Sequence, residues 1–540
     1  MVSLVSLVPL PAFADVASGL PQPVLAVGVP LLFAVAYLLV VLEEVTHMRK
    51  SKPVILAAGL IWTLIAIFPP TNVPVHGEAA EAVAASDDAT AGDDATASAG
   101  TAEATGTEGR EGGAFGPSQG ASGTDELMAA REQIGEAVRH YLMEYAELFL
   151  FLLVAMTYVN AMDERRVFDV LRDRLVSSGM GYRSLFWATG WIAFFLSPIL
   201  DNMTTALVTC AALAAVGRES PKFVAIGCVN LVVASNAGGA FSPFGDITTL
   251  MVWQDGKLPF FDFFALFVPS LVNFIIPAIC MHFAVPKGRP PALEGRARFR
   301  RGAIGVMFLF GCTITTVVCM HNFLHLPPVL GMMTGLAYLK LYSYYLTVTS
   351  RRYGYVANHG HANGHGNGNG NGEDDDPSIT DRDAEDIAPF DSFSLVARAE
   401  WDTLLFFFGV TLCVGGLGYI GYLQLAATTF YEGWGETPAN IAIGVLSAIV
   451  DNIPVMMAVL EMDPAMSEGQ WLLVTLTAGV GGSMLSIGSA AGVALMGQSR
   501  GLYTFGKHLV WTPAIALGYA ASIAVHFWWN SELFLVHAGK

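Results

Sequence analysis

The sequence has 540 residues, of which 53% are hydrophobic and 14% charged, and its mean hydropathy is +0.51. A soluble chain of this length carries about 25% charged residues, so the composition excludes an ordinary soluble domain. The net charge of −18 comes largely from one segment, residues 71–140, which has a net charge of −10. The sequence shows no basic patch interleaved with aromatic residues, so no nucleic-acid partner is expected.

The N-terminal residues, MVSLVSLVPLPAFAD, form a short apolar run that ends in Ala12-Phe13-Ala14. An apolar run followed by a small-x-small site is typical of a signal peptide, so residues 1–14 are predicted to be cleaved. No Lys or Arg precedes Arg49, so the usual basic segment is missing. An internal start site or a retained apolar tail is the alternative.

Apolar runs occupy most of the remaining chain, and a membrane-spanning helix needs roughly 20 mostly apolar residues. The runs cover residues 23–42, 53–69, 141–160, 185–216, 222–252, 262–285, 302–322, 328–349, 402–423, 438–461, 469–497 and 509–528. Two polar inserts interrupt them, an acidic one at about 76–125 and a His/Asn/Gly-rich one at about 354–390. Neither insert has enough apolar residues to form a core.

Loop charges predict the orientation, because cytoplasmic loops are enriched in Lys and Arg. The segments 47–52, 163–183 and 286–301 are basic and are placed in the cytoplasm, whereas 70–139 is acidic and is placed outside. Three apolar runs lie between the second and third basic loops, so one of them must return to the side it entered from. The run 185–216 is broken at Ser197-Pro-Ile-Leu-Asp-Asn202 and is predicted to be this re-entrant hairpin.

A second hairpin is predicted at 438–461, because Ser447-Ala-Ile-Val-Asp-Asn452 repeats the first break. Gly238-Gly239 with Gly245 is likewise echoed by Gly481-Gly482 with Gly488. The predicted fold is an all-α polytopic membrane protein with about ten spanning helices and two re-entrant hairpins. Its halves, 23–285 and 302–528, begin on opposite sides and form an inverted-topology repeat, an arrangement that places a transport site at the repeat interface.

Breaks in membrane helices persist only where protein or a wet cavity surrounds them. The oxygen-bearing residues at these breaks are Asp201, Asn202, Asn236, Asp246, Thr248, Asp451, Asn452, Ser486 and Ser489. Carboxylates and neutral oxygens without nearby Lys or Arg indicate a cation, and we expect Na⁺ at Asp201 and Asp451. A carboxylate that binds either a proton or Na⁺ produces antiport by competition. Helix capping is the alternative role for these residues.

Further ionisable residues lie near the start of the third helix of each half. His140, Glu147, Glu400 and Asp402 are candidates for a proton path, with interfacial solvation or ion pairing as the alternative. No HExxH and no GxGD sequence occurs, so an enzyme is not expected and no cofactor is required. A channel is the other alternative.

Long motifs resemble those of the NhaD-type sodium/proton antiporters of the ion-transporter superfamily. They include EYAELFLFLLVAMTYVNAMDERR, SPILDNMTTAL, NAGGAFSPFGDITTLMVWQ, SAIVDNIPVM and MGQSRGLYTFGKHLVWTP. The resemblance covers roughly 20–70, 140–350 and 395–530. Lys257 departs from the pattern, since relatives often carry His there.

The resemblance implies two re-entrant hairpins in an inverted repeat, exchange of Na⁺ and Li⁺ for H⁺, and a homodimer. The apolar runs predict a multi-pass protein in contact with membrane lipid, and the N-terminus suits either a bacterial inner membrane or a plastid envelope. The resemblance assigns importance to His140, Glu147, Asp201, Asn236, Asp246, Thr248, Glu400, Asp402, Ser447, Asp451, Asn452, Ser486 and Ser489. Another carrier of the superfamily, for arsenite or a carboxylate, is the alternative function.

Deletion of residues 78–122 should leave transport largely intact, because this acidic segment cannot form a packed core. The measurement is sodium-dependent proton movement in membrane vesicles, with membrane insertion checked by immunoblot. Loss of activity in a normally inserted deletion variant would mean that the segment folds over the site.

Overall fold

The computed structural model describes residues 23–42, 46, 48–70, 123–217, 220–290, 297–362, 392–499 and 501–536. The predicted signal peptide and nearly all of both polar inserts lie outside these residues. The described residues form helices and no β-strand, which confirms the all-α prediction.

Among the described residues of the first half there are nine α-helices, and their order follows the predicted segments. They are α1 (Pro23–Val41), α2 (Ser51–Ile67), α3 (Gly123–Glu164), α4 (Val167–Val176), α5 (Tyr182–Leu200), α6 (Asn202–Val216), α7 (Pro221–Gly239), α8 (Ile247–Gln254) and α9 (Phe267–His282), with a 3₁₀ turn at Asp262–Leu266 before α9.

Eleven α-helices are described in the second half of the chain. Its helices are α10 (Ala303–Leu324), α11 (Pro328–Ala362), α12 (Ser392–Ala397), α13 (Trp401–Tyr419), α14 (Tyr422–Ala427), α15 (Glu436–Ser447), α16 (Asn452–Met462), α17 (Glu468–Gly481), α18 (Ala490–Gln498), α19 (Phe505–Leu509) and α20 (Thr512–Trp529). A π-helical turn covers Thr428–Glu432, and a 3₁₀ turn covers Ser531–Leu535.

The apolar character of the helices supports a multi-pass membrane protein. Within the described residues, 6 helices are long and apolar enough to cross a membrane, judged by length and composition. The shorter apolar helices include α2, α6 and α16. Many large apolar side chains on α1 and α10 are exposed, as expected for surfaces that face lipid rather than water.

The first hairpin is formed by α5 and α6. Helices α5 and α7 run in the same direction, because the rings of Tyr182 and Phe223, near their starts, are 4.7 Å apart and Ser197 Oγ, near the end of α5, donates to the Ser235 carbonyl at 2.6 Å. Helix α6 therefore returns to the end from which α5 began. The reversal occurs at Asp201, whose φ of 69° lies in the left-handed region.

The second hairpin, α15 and α16, has the same construction. Asn440, near the start of α15, donates to Gln470 Oε1 near the start of α17 at 2.9 Å, so these two helices are parallel. At their other ends Ser447 Oγ donates to the Ala478 carbonyl at 2.8 Å, which matches the bond of Ser197. Helix α16 is again the returning arm.

The two hairpins open toward opposite ends of the molecule. The open end of the first lies beside the loop after α9, where Tyr182 N donates to the Gly288 carbonyl at 3.0 Å. The open end of the second lies beside the loop before α9, where Lys257 Nζ is 2.7 Å from Asp463 Oδ1. The 16-residue helix α9 separates these loops by about 24 Å. This geometry agrees with an inverted repeat.

The Lys257–Asp463 ion pair joins the loop after α8 to the end of the second hairpin. Burial alone lowers the pKa of Lys257, but its contacts with Asp463 and Asp255 raise that pKa above the ordinary value. The side chain therefore stays charged until the pH rises above its ordinary pKa. Since the Asp463 side chain is 71% exposed, the pair contributes only about 0.2–1 kcal/mol to folding.

Two single cysteines test the opposite openings of the hairpins in a background without the six native cysteines. Lys222→Cys, exposed at the start of α7, should label with an impermeant maleimide only in everted vesicles. Glu432→Cys, exposed before α15, should label only in right-side-out vesicles. Ser177→Cys, exposed in the loop before α5, is the control and should behave like Lys222→Cys. Labelling of Lys222→Cys and Glu432→Cys from the same side would exclude the inverted arrangement.

Candidate functional site

Each half contains a helix broken after a glycine pair, and the break is held by a close backbone approach. A Cβ atom added to Gly239 would lie 2.5 Å from the Gly245 carbonyl oxygen, and one added to Gly482 would lie 2.5 Å from that of Gly488. Side chains cannot occupy these positions, so glycine is required there. The two non-helical segments, 240–246 and 482–489, face the hairpin tips.

The returning arm of each hairpin packs against the broken helix of the other half. Helix α6 packs on α18, and α16 packs on α8. The two tips therefore meet at the centre, where the sequence predicted a site at the repeat interface. The polar side chains that meet there are buried, including Asn202, Asn236, Asp246, Thr248 and Asn452.

Asp246 is the centre of the arrangement. Its Oδ2 atom accepts a hydrogen bond from Asn202 Nδ2 at 2.9 Å and another from Asn452 Nδ2 at 3.0 Å. Its Oδ1 atom accepts from the Thr248 backbone N–H at 3.2 Å and caps α8. One carboxylate thus joins the first hairpin, the second hairpin and the first broken helix.

The polar contacts continue from Asn202 into the second broken helix. Asn202 Nδ2 also donates to Asn236 Oδ1 at 3.2 Å, and Asn236 Nδ2 donates to Ser483 Oγ at 2.9 Å. Ser483 is fully buried and was not among the residues predicted from the sequence. Its position directly after Gly481-Gly482 was the available signal, because the predicted residues Ser486 and Ser489 follow the same glycine pair.

The two hairpin aspartates have different surroundings, although their motifs repeat. Asp201 accepts from both the backbone N–H and the hydroxyl of Thr204, each at 2.8 Å, and so caps α6. Pro454 occupies the position equivalent to Thr204 and has no N–H to donate. Asp451 makes no capping bond, and its buried Oδ1 has no hydrogen-bond partner within the described structure. Both aspartates lie within electrostatic range of Asp246.

The hydroxyl groups of the remaining predicted ligands differ in their contacts. Thr248 Oγ1 is buried beside Asp246 and has no hydrogen-bond partner among the described residues. Ser489 Oγ caps α18 by accepting from the Gly492 N–H at 3.3 Å. Ser486 Oγ lies 3.4 Å from Met496 Sδ. Among these three, the hydroxyl of Thr248 is the one available for a ligand.

A cavity of about 70 Å³ reaches Asp246 from the end at which the first hairpin opens. Asp201, Asn202, Asn452, Glu400 and Lys50 also line it, and we call it the Asp246 cavity. Lys50 was not among the predicted site residues; its charge acts on Asp451. The carboxylates of this cavity outnumber its Lys, which favours a cation over an anion as its ligand.

A second cavity, of about 170 Å³, opens at the other end. Its polar lining comes from Tyr141, Glu144, Glu147, Asp255 and Glu461, and we call it the acidic cavity. Tyr141 Oη donates to Glu461 Oε1 at 2.5 Å and bridges α3 to the second hairpin. Sequence reasoning identified Glu147 here but missed Glu461, which lies where α16 leaves the hairpin.

The four candidates for a proton path do not lie together. Glu147 lines the acidic cavity and Glu400 lines the Asp246 cavity. His140 is exposed and forms an ion pair with Glu144 at 3.1 Å. Asp402 accepts from Ser51 Oγ at 2.5 Å and ties α13 to α2. In the inverted repeat predicted from the sequence, equivalent positions of the two halves fall at opposite ends.

Comparison with known proteins gives one family and several close relatives. Residues 37–347 and 391–479 match the family CitMHS, described as "Citrate transporter". The chain is 48% identical to a protein of Alkalimonas amylolytica named Na(+)/H(+) antiporter NhaD, over 94% of this chain and 91% of that one. It is 46% identical to the protein of that name from Vibrio cholerae, over 93% and 92%, and 31% identical to sodium/proton antiporter 1 of Arabidopsis thaliana, over 72% and 63%.

Alanine substitutions test whether the glycine contacts hold the two breaks. Gly239→Ala and Gly482→Ala should each destabilise the protein by about 1–3 kcal/mol, because the methyl group meets backbone that cannot move aside. Gly479→Ala is the matched control, since its nearest neighbour is 3.7 Å away. The measurement is thermal unfolding in detergent by tryptophan fluorescence. Equal midpoints for all three variants would contradict this account.

Proposed function

The chain belongs to the NhaD-type sodium/proton antiporters, and we propose that it exchanges Na⁺ for H⁺ across a membrane. The observation that carries this proposal is the pair of hydrogen bonds from Asn202 and Asn452 to Asp246 Oδ2. They place one carboxylate at the meeting point of both hairpins. A ligand on that carboxylate therefore acts on both halves of the fold.

Exchange follows from competition for the Asp246 carboxylate. An ionised carboxylate with neutral oxygens around it is a suitable ligand for a hard cation, and a protonated carboxylate is not. Asn202, Asn236 and Thr248 supply the neutral oxygens beside it. If Asp246 releases its proton before Na⁺ binds, the two ions use the same position in alternation. The proposal includes Na⁺ near Asp201 and Asp451, whose charges act on Asp246.

Alternating access is the second requirement, and the two cavities supply its endpoints. Asp246 lines one cavity together with Leu250, whereas Met251 and Gln254 of the same helix line the acidic cavity. Helix α8 therefore separates the two cavities. From the loop charges, the Asp246 cavity faces the cytoplasm and the acidic cavity faces outward. A movement of the hairpins that closes one cavity and opens the other would complete the cycle.

The family description names citrate, so a carboxylate carrier is the competing function. Helices α6, α8, α16 and α18 begin at this cavity, so helix N-termini do not separate the two functions. A site for a tricarboxylate would also need several cationic side chains directed at the ligand. Lys50 is the cation that lines the Asp246 cavity, against Asp201, Asp246 and Glu400. The charge balance favours a cation. Uptake of labelled citrate by vesicles without any response to Na⁺ would reverse this assignment.

Three finer points extend the proposal. Li⁺ should replace Na⁺, because it is a hard monovalent cation that takes the same oxygen ligands.

The relatives that match more than nine-tenths of the chain are bacterial, so we propose the bacterial plasma membrane, with a plastid envelope as the alternative. We also propose a homodimer in the lipid bilayer, as the resemblance to the family implies.

Replacing Asp246 or Asp451 by Asn should abolish Na⁺-dependent proton movement, because an amide keeps the size of the side chain but cannot exchange a proton for Na⁺. Asp201→Asn should do the same, although Asn preserves most of the capping energy, which is about 1 kcal/mol. The measurement is Na⁺-induced dequenching of a pH-sensitive dye in everted vesicles between about pH 6 and 9, the range around neutrality in which such competition operates.

Thr204→Ala is the matched control for Asp201, since it removes the hydroxyl donor at 2.8 Å and leaves every charge in place. Exchange should survive in this variant. Glu replacements of the three aspartates should give graded activity with altered apparent Na⁺ affinity. Near-normal exchange in Asp246→Asn, in protein that inserts normally, would reject Asp246 as the exchanging group.

A further inference from the structure

Beyond the predicted site residues, a continuous chain of contacts leads from Asp246 to a buried histidine. Ser483 accepts from Asn236 through its hydroxyl. The backbone carbonyl of the same residue lies 2.9 Å from His508 Nε2. His508 is in α19, beyond the last predicted ligand, and is fully buried. It contacts the residue that supports the centre, not the centre itself.

The contacts of His508 define which ring nitrogen carries the proton. A carbonyl oxygen only accepts hydrogen bonds, so Nε2 must donate to Ser483. In the neutral ring Nδ1 is then an acceptor, and it lies 2.6 Å from Tyr503 Oη, which donates to it. Tyr503 is buried, and its backbone N–H donates to Ser499 Oγ at 3.1 Å. The ring is therefore held on both sides.

The neighbouring carbonyl of the non-helical segment is held from the same region of the chain. Thr512 Oγ1, at the start of α20, donates to the Met484 carbonyl at 2.7 Å. The equivalent segment of the first half is held by a nearby residue, because Thr249 Oγ1 donates to the Ser242 carbonyl at 2.8 Å. The second break therefore depends on residues that follow it by more than twenty positions.

We propose that His508 is a positioning residue for the cation site, acting through the Ser483 carbonyl. The inference rests on the proposed Na⁺/H⁺ exchange. Without the bond from Nε2, the buried Ser483 carbonyl would lack a partner, and its peptide group would have to rotate to find one, because buried carbonyls need a partner. This rotation would move Ser483 Oγ away from Asn236, and the Asn236–Asn202–Asp246 contacts would lose their support. Substitution should therefore change how the site binds its cation.

The chain offers a matched control in His526. Its side chain is also fully buried, and its Nε2 lies 2.9 Å from a backbone carbonyl, that of Gly469, while Nδ1 contacts Asn530 at 2.9 Å. Gly469 is at the start of α17 and Ser483 follows its end, about 21 Å away along the helix axis. A purely structural role for buried histidines predicts similar effects at both positions.

The test compares His508→Ala, His508→Gln, Tyr503→Phe and His526→Ala in everted vesicles, with Na⁺-dependent dequenching measured across Na⁺ concentrations and pH. We expect His508→Ala to raise the half-saturating Na⁺ concentration about three- to tenfold, the effect of losing one buried hydrogen bond. Gln carries an N–H near the position of Nε2, so His508→Gln should restore most of the affinity. Tyr503→Phe should give a smaller shift in the same direction.

His526→Ala should lower the thermal unfolding midpoint as much as His508→Ala while leaving the half-saturating Na⁺ concentration unchanged. Equal Na⁺ affinities in His508→Ala, Tyr503→Phe and wild type would overturn the positioning role. If His508→Ala fails to insert, the test rests on Tyr503→Phe and His508→Gln. An unchanged Na⁺ affinity in Tyr503→Phe would then reject the inference. Wild-type protein without any Na⁺ response would instead refute the proposed function, whatever the variants do.

Discussion

The arrangement depends on a single carboxylate oxygen, Asp246 Oδ2, which accepts an amide hydrogen bond from each hairpin. Non-helical backbone within a membrane protein requires internal partners, and here the hairpin tips and the first broken helix satisfy one another. Asn202 arrives from one end of the molecule and Asn452 from the other. Their common acceptor makes the two openings mechanically dependent, which an exchanger needs and a simple pore does not.

Most of the fold could be predicted from the sequence, because its determinants are local. Loop charges predicted an orientation for the segments, and an odd number of runs between two basic loops predicted a hairpin at 185–216. The repeated Ser-x-x-x-Asp-Asn pattern at Ser197 and Ser447 marked both tips. The structure explains that pattern, since each serine bonds to a carbonyl of the neighbouring broken helix. The sequence pattern alone does not show which carbonyl each serine contacts.

The details of the site were less accessible, because they depend on which oxygen each side chain reaches. Asp201 and Asp451 looked equivalent, but Pro454 removes the N–H that would cap the second hairpin. Asp402, predicted as part of a proton path, accepts a hydrogen bond from Ser51, a contact that the sequence did not indicate. Ser483 and Glu461 were missed, since neither carries a motif of its own. Contacts between residues more than two hundred positions apart decide the roles of Asp402, Ser483 and Glu461, and a single sequence does not show such contacts.

The two halves differ in charge at the broken helices, where Asp246 in the first corresponds to Ser489 in the second. If the halves exchanged their conformations, as inverted repeats do when access switches sides, the negative charge would travel with the first half alone. The inward-facing and outward-facing forms then differ in free energy. The protein would bind its cation with different strength on its two faces, so that forward and reverse transport, though sharing one pathway, would saturate at different concentrations.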